Sequence, residues 1–289
     1  MKKENKAILM LFFVTLSWGL TFPLIKSAVS YITPTSFVVI RFFLATVFLF
    51  PFVVNILKKI SKMILFTGLL LGILNSITYE TQTIGMQTIS AAQSAFIVGT
   101  NIVLVPLLAP IFRLHGTCKI DFFAAIVCLI GLFIFTHFAM HFNIGSFWCF
   151  ISALSIALSI VVLQRITTIK YFSSFKLLAF YQILFTIPLP IFLSIHNDYL
   201  YNLTKISVII SLLFCAIFAT SISLLLQTKY QCRVNTTKAA LIYSFEPIFA
   251  SLFAIIMHQE HLSLNMIIGG TIMFFGISLH SIYNLYKNS

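Results

Sequence analysis

The sequence predicts an all-α integral membrane protein with ten transmembrane helices, arranged as two inverted five-helix repeats. Three observations lead to this prediction: an apolar composition, a regular series of apolar runs separated by basic residues, and a repeat between the two halves. Hydrophobic residues make up 60% of the 289 residues and charged residues 8%, and the mean hydropathy is +1.06. A folded chain of this composition needs lipid as its solvent.

Ten apolar runs approach or exceed the length of about 20 helical residues that crosses the hydrocarbon layer. They cover 7–27, 34–57, 63–83, 91–113, 120–137, 144–164, 173–195, 206–228, 236–257 and 262–283. The connectors are short, so we expect no soluble domain. Lys2, Lys3 and Lys6 precede the first run as in a signal peptide, but its length and the spans that follow predict an uncleaved first helix.

The basic residues predict the orientation of the chain. A net charge of +12 would suggest nucleic acid for a soluble protein, but here the Lys and Arg residues lie in short connectors and indicate topology. Placing the N-terminus inside puts fifteen of the eighteen in cytoplasmic segments and leaves Lys26 and Lys205 outside and Arg41 within a span. The chain is therefore expected in a bacterial inner membrane, with both termini cytoplasmic and an even number of spans.

An internal repeat relates the two halves of the chain. The segment QTIGMQTISAAQSAFIVGTN from Gln82 aligns without a gap with QTKYQCRVNTTKAALIYSFE from Gln227, an offset of 145 residues. Upstream, LSWGLTF from Leu16 matches LSIALSI from Leu154 at an offset of 138 residues. We therefore expect a first repeat over 1–140 and a second over 141–289. Five spans per unit make the second unit enter the membrane from the opposite side, an arrangement that permits alternating access.

Several segments of the chain resemble the EamA-type branch of the drug/metabolite transporter superfamily. They are WGLTFPLIKS from Trp18, RFFLA from Arg41, QTIGMQTISAAQSAFIVGTNIVLVPLLAP from Gln82 and ALIYSFEPIFASLFAIIMHQEHLS from Ala240. The resemblance implies two inverted five-helix halves around a central cavity, and export or uptake of amino acids, related metabolites or drugs. Where the family often has Gly-Glu after the ninth span, this chain has His258-Gln259-Glu260.

Glu246 is the strongest candidate for contact with a solute. An acidic group within a span costs roughly 2.5–3.5 kcal/mol on insertion scales, so it is expected to face the protein interior. There it would pair with a cationic substrate group or take a proton; the alternative is a bond to a neighbouring helix that fixes packing. Asn101 holds the repeat-related position and offers the same choice between ligand contact and an interhelical hydrogen bond.

Polar residues form a stripe at helical spacing on the third span, and the repeat places a second stripe on the eighth span. The members are Asn75, Thr78, Tyr79 and Gln82, with Thr220, Ser223 and Gln227 as their partners. The duplication favours the lining of a wet cavity over helix packing. The rings of Trp18 and Tyr243 are candidates to stack on a ligand, or simply to pack.

Arg41 lies about seven residues into the second span, roughly 10 Å below the outer surface. It is expected to pair with Glu80 of the third span as a gate or a structural ion pair. The alternative is attraction of an anionic or carboxylate-bearing solute.

No cofactor and no metal site are expected. His137 and His141 have i, i+4 spacing but no third ligand, and the five cysteines form no CxxC pair. The expected partners are a small-molecule substrate and membrane lipid, with the proton as one candidate coupling ion and no nucleic acid.

These features favour a secondary carrier for a small zwitterionic or cationic metabolite. A flippase for lipid or a lipid-linked sugar is the alternative within the membrane class. An intramembrane enzyme is disfavoured, because the chain has no GxGD motif and Asp121 and Asp198 lie near loops.

Overall fold

The structure is a computed structural model that describes residues 2–112, 114, 119–135, 143–168, 174–194, 202–258, 261 and 263–287. Three residues named in the sequence analysis lie outside the described residues: His137, His141 and Glu260. So does the expected boundary between the two repeats.

The described residues form helices, with no strand among them. The first half contains α1 (Lys2–Ala28), α2 (Pro34–Leu49), 3₁₀ segments at Phe50–Phe52 and Val54–Lys59, α3 (Lys62–Thr88), α4 (Ala91–Gly99), α5 (Asn101–Leu108) and α6 (Lys119–Phe135). The second half contains α7 (Ile144–Thr167), α8 (Phe175–Leu184), α9 (Pro188–Ser194), α10 (Ile206–Phe214), a π-helical segment (Cys215–Ile222), α11 (Ser223–Tyr230), a 3₁₀ segment (Gln231–Arg233), α12 (Thr236–Tyr243), α13 (Glu246–Ile256) and α14 (Leu264–Lys287).

Within the described residues, eight continuous helical stretches are long and apolar enough to cross a membrane. They are Lys3–Ala28, Pro34–Phe52, Lys62–Thr88, Ala91–Leu108, Ile144–Thr167, Phe175–Leu193, Ile206–Arg233 and Thr236–Ile256. Two shorter apolar helices, Phe122–Phe135 and Leu264–Gly276, fall on the fifth and tenth predicted spans. The protein is thus an all-helical, multi-pass membrane protein with at least eight candidate crossings.

The polarity of the fold is that of a protein dissolved in lipid. Large apolar side chains face outward; Phe66, Ile206 and Leu264 are each 70% exposed. Polar side chains are turned inward, and many serines and threonines donate to the carbonyl one turn earlier, as Thr83 does to Tyr79. Such internal pairing is required because the hydrocarbon layer offers no hydrogen bonds.

Local sequence explains where the helices begin and end. Six helices start after a Ser, Thr or Asn side chain that accepts a backbone N–H of the first turn. These caps are Thr33, Ser61, Ser90, Asn143, Ser174 and Asn235. The second span was predicted to run to residue 57, but α2 ends at Leu49, because Pro51 lacks the N–H that would continue the helix. Pro188 likewise separates α8 from α9.

Helix α1 lies at the centre of the bundle and contacts α4 of its own half and α10 to α13 of the other. Its first half packs with Tyr230 and Val234 in one apolar cluster. Its second half packs with Met86 and Ile89 in another. These two clusters mark opposite ends of the bundle.

Glycines allow the closest helix contacts. A methyl group on Gly68 would meet Tyr181 of α8, and one on Gly19 would meet Phe249 of α13. On α14, a methyl group at Gly269 would overlap the backbone of Gly131 and Phe135 on α6. Equally close contacts are made by Gly72 with Phe185 of the second half and by Gly276 with Cys128 of α6, so these glycines serve helix packing.

Adjacent glycines on α14 provide a test of this packing. We expect Gly269→Ala to lower the free energy of unfolding by about 1–3 kcal/mol, because the new methyl group overpacks the interface with α6. Gly270→Ala is the control, since its methyl group would lie 3.7 Å from the Phe135 ring, an ordinary contact. Thermal unfolding of both variants in one detergent measures the difference, and equal losses would contradict this helix contact.

Candidate functional site

A cavity with both polar and apolar side chains in its wall lies in the middle of the bundle, where α1, α3 and α7 meet the broken helices of both halves. The space open to the centres of water molecules is about 50 Å³, enough for on the order of four waters. Its walls are formed by Trp18, Thr21, Asn75, Thr78, Tyr79, Gln82, Asn101, Ile156, Ser159, Ile160, Leu224, Gln227, Tyr243 and Glu246.

All eight side chains proposed from the sequence to contact a solute lie in this wall. They are Trp18, Asn75, Tyr79, Gln82, Asn101, Gln227, Tyr243 and Glu246. Their contact with a solute remains a prediction, but the structure brings them together around one space. Thr78 of the polar stripe joins them, whereas Thr220 and Ser223 do not line the cavity and are held by Arg41 and by the carbonyl of Phe218 respectively.

The cavity wall contains repeat-related pairs of residues. At the offset of 145 residues, Gln82 pairs with Gln227, Asn101 with Glu246 and Tyr79 with Leu224. At the offset of 138 residues, Trp18 pairs with Ile156 and Thr21 with Ser159. The same positions of the two halves therefore face the same space. The paired residues differ in chemistry, however. Trp18 and Tyr79 of the first half are aromatic where Ile156 and Leu224 of the second are aliphatic, and Glu246 of the second half is an acid where Asn101 of the first is an amide.

Thr21, Ile156, Ser159, Ile160 and Leu224 were missed as wall residues by the sequence interpretation. Two of the five were available from the repeat, because Ile156 is the partner of Trp18 and Leu224 is the partner of Tyr79. Ile156, Ile160 and Leu224 are apolar, so polarity did not mark them as wall residues. Applying the repeat offset to every candidate would have found Ile156 and Leu224.

Two helices break at repeat-related points beside the cavity. Helix α4 ends at Gly99 and α5 begins at Asn101; α12 ends at Tyr243 and α13 begins at Glu246. Neither α5 nor α13 has a side-chain cap. A methyl group on Gly99 would lie 3.1 Å from the Pro247 ring, so the two breaks lie against each other.

The polar residues at the breaks bond to their own backbone. Thr100 Oγ1 donates to the Ile97 carbonyl at 2.6 Å, Asn101 Nδ2 to Val98 at 2.8 Å and Ser244 Oγ to Leu241 at 2.7 Å. Asn101 thus makes no interhelical bond with its amide nitrogen, and its Oδ1 has no partner among the described residues. The described residues thus show no interhelical hydrogen bond for Asn101, and its contact with a solute stays a prediction.

Several polar atoms of the wall are left without a protein partner. Within the described part of the chain these are Asn75 Nδ2, Thr78 Oγ1, Asn101 Oδ1 and Ser159 Oγ. Glu246 adds a carboxylate that is 8% exposed. Because an unmatched buried polar group costs about 1–3 kcal/mol, this wall is suited to a polar occupant with both donors and acceptors.

Aromatic rings form one side of the cavity. The rings of Trp18 and Tyr243 have centroids 5.3 Å apart and are tilted by 51°. The Trp18 indole N–H donates to the Ala219 carbonyl of the π-helical segment at 2.9 Å, which fixes the ring. Rings held in this way present a flat, electron-rich face to a cationic group.

Arg41 and Glu80 do not form the expected ion pair in this structure. Glu80 Oε1 instead accepts a hydrogen bond from the Thr35 hydroxyl. Arg41 Nε donates to Thr220 Oγ1 at 2.8 Å, and its guanidinium carbon lies 4.5 Å from the centre of the Tyr79 ring. The ion pair found among the described side chains is a different one, between Lys238 Nζ and Glu4 Oε1 at 2.8 Å. The positions of Arg41 and Glu80 along their spans predict their depth in the membrane. They do not predict which neighbouring helix each side chain faces, because that depends on the rotation of the helix about its axis.

Comparison with known proteins agrees with this architecture. The chain matches the model of the EamA-like transporter family over residues 5–137 and again over 143–282. It is 30% identical over 263 residues to an uncharacterized transporter from Archaeoglobus fulgidus, covering 90% of this chain and 81% of that protein. The uncharacterized transporter YoaV of Bacillus subtilis is 24% identical over 96% of this chain and 97% of its own length.

A protein known from a crystal structure shares the fold. It superposes with a TM-score of 0.80 over 99% of this chain and 100% of that one, at 14% sequence identity, a level that speaks for the fold alone. The two family matches, one in each half of the sequence, cover nearly all of the helices described above. The chain therefore belongs to the EamA-like transporter family and is a multi-pass membrane transporter.

Proposed function

We propose that this transporter is a secondary carrier for a small zwitterionic or cationic metabolite, such as an amino acid or a related solute. It would work by alternating access between two inverted five-helix halves in the inner membrane, with both termini cytoplasmic. The observation that carries the proposal is the cavity itself: repeat-related residues of both halves line it, and Glu246 provides its acidic group.

Glu246 is the group best suited to hold a cationic part of the solute. It is the first residue of α13, lies in the cavity wall, and shares that wall with Trp18, Tyr79 and Tyr243. A carboxylate with aromatic rings around it binds an ammonium group by charge and by cation–π attraction together. The same carboxylate could exchange the cation for a proton, which makes the proton a candidate coupling ion.

A network of buried amides supports closure of the cavity at one end. Gln231 is fully buried, and its Oε1 accepts from Gln227 Nε2 and from the Tyr243 hydroxyl, each at 3.2 Å. Its Nε2 donates to the Ile160 carbonyl at 2.7 Å. Gln231 therefore joins α7, α11 and α12 directly beside the cavity, at the end of the bundle where α1 begins.

The other end has its own link between helices. The Thr35 hydroxyl at the start of α2 donates to Glu80 of α3. Two sets of hydrogen bonds at opposite ends of a cavity are what alternating access requires, since each set can close while the other opens.

A flippase is less well supported than a solute carrier. A lipid would need a cleft between peripheral helices, whereas the cavity walls come from the central helix α1 and from α3, α5, α7, α11, α12 and α13. The cavity is small and has hydroxyl, amide and carboxyl groups in its wall, as suits a soluble metabolite.

Replacing Glu246 with Gln tests the proposed role directly. We expect at least about a tenfold loss of uptake of labelled amino acids and nucleoside-type metabolites by proteoliposomes, because loss of a charge-assisted bond costs roughly 1.5–3 kcal/mol. The control is Glu4→Gln, which removes a carboxylate whose side chain is 47% exposed and far along α1 from the cavity. If folded wild-type protein moves no member of a broad panel, and Glu246→Gln changes nothing, the carrier proposal fails.

Replacing Gln231 with Ala tests the amide network. The change leaves the Tyr243 hydroxyl, the Gln227 amide and the Ile160 carbonyl with fewer partners, so we expect a loss of about 1–3 kcal/mol in unfolding free energy. We also expect faster alkylation of Ser159→Cys in the cavity wall by a reagent added at the end where α1 begins. Gln87→Ala, at an exposed site on α3, is the control. Unchanged alkylation in Gln231→Ala would show that this network does not close the cavity.

A further inference from the structure

Arg41 is a buried cation that the proposed function leaves without a role. It lies within α2 and is 1% exposed. Its Nε is bonded to Thr220, but its Nη2 has no partner among the described residues. A guanidinium has five N–H donors in a fork that matches a carboxylate, and an uncompensated charge inside a membrane protein is costly. Within the part of the chain that the structure describes, this arginine therefore lacks a counter-ion.

The described carboxylates do not supply that counter-ion. Glu80 accepts from Thr35, and Glu4 pairs with Lys238. Glu246 faces the cavity and forms no ion pair with Arg41 in the described structure. The guanidinium lies instead over the Tyr79 ring, with Arg41 Cζ 4.5 Å from the ring centre. The centre of the Phe42 ring is 5.7 Å from the same carbon.

Tyr79 forms the partition between Arg41 and the cavity. Its ring lines the cavity and also lies against the Arg41 guanidinium. One turn earlier on α3, Asn75 also lines the cavity with an unpartnered Nδ2 donor. Rotation of the Tyr79 side chain would therefore expose the Arg41 cation to a cavity whose wall already contains the Asn75 amide and the Glu246 carboxyl.

The helix that holds Arg41 in place is locally altered at the point of contact. Thr220 belongs to the π-helical segment Cys215–Ile222. Ser221 in this segment and Ser223 directly after it each donate to a carbonyl five residues earlier. Single wide turns of this kind occur frequently at functional sites. Here the wide turn also provides the Ala219 carbonyl that fixes Trp18, so one segment positions groups on both sides of Tyr79.

We propose that Arg41 binds the carboxylate of the transported solute once the Tyr79 ring turns aside, while Glu246 binds its amino group. The inference rests on the proposed carrier function and narrows it from cations in general to solutes that carry both charges. Asn75 Nδ2 provides a second donor to the same carboxylate. Arg41 is then a specificity-determining residue, and a solute without a carboxylate leaves it unpaired.

Matched sets of three probes test this without any variant. Each set holds an L-amino acid, its methyl ester and its decarboxylated amine; all three keep the amino group, and the first alone keeps the carboxylate. Binding to the full chain in lipid nanodiscs is measured by ligand-induced thermal stabilisation, and transport by competition in proteoliposomes. We expect the amino acid to bind at least about tenfold more tightly than its ester or amine, as a charge-assisted bond requires.

Variants then assign the preference to Arg41. Arg41→Gln should abolish the preference for the amino acid over its ester and amine, because it weakens the binding of the amino acid alone. Arg41→Lys should retain part of this preference. Lys26→Gln is the control. It removes another positive charge, near the end of α1, where Lys26 donates to the carbonyls of Met86 and Ile89, and it should keep the preference. If Arg41→Gln does not yield folded protein, the comparison of probes on wild type and on Arg41→Lys decides.

The outcomes separate this inference from the carrier proposal. Esters and amines that bind as well as the acids, or an Arg41→Gln protein that keeps the preference, would overturn the inference and leave a carrier of cations. Failure of all three probe types in every set, with no effect of Glu246→Gln, would overturn the carrier proposal itself.

Discussion

Lipid offers no hydrogen bonds, and this constraint organises the whole molecule. Polar groups must find partners inside the protein, so serines and threonines bond within their own helices and Gln231 joins three helices at one end of the bundle. Against this background, polar atoms left without a partner are informative. Of the nine such side-chain atoms in the described residues, four lie in the wall of the central cavity and a fifth belongs to Arg41.

The two halves share the same arrangement of helices around the cavity, but the side chains at repeat-related positions differ. Both halves break a helix at the same point, and both place a glutamine in the cavity wall. The first half, however, contributes the rings of Trp18 and Tyr79, and the second contributes Glu246. A duplicated scaffold with unequal side chains gives a cavity with distinguishable ends, which a solute with two different charges can recognise.

Much of the cavity could be predicted from sequence because polarity and repeat position are both visible there. Glu246, Asn101 and the stripe on α3 stand out in an apolar chain, and the offset between halves relates them. The pairing of Arg41 could not be predicted, because spacing along a span fixes depth and leaves the rotation of the helix open. The π-helical segment was also hidden, since its wide turn depends on contacts with α1 and α2 rather than on its apolar residues.

The central claim is that the two halves cross the membrane in opposite senses. Gln87 and Cys232 occupy repeat-related positions, and labelling with a membrane-impermeant maleimide locates each of them. With the other four cysteines replaced by Ser, the account predicts that Gln87→Cys is labelled in intact cells and that Cys232 is labelled only after the membrane is opened. Labelling of both positions from the same side would contradict it.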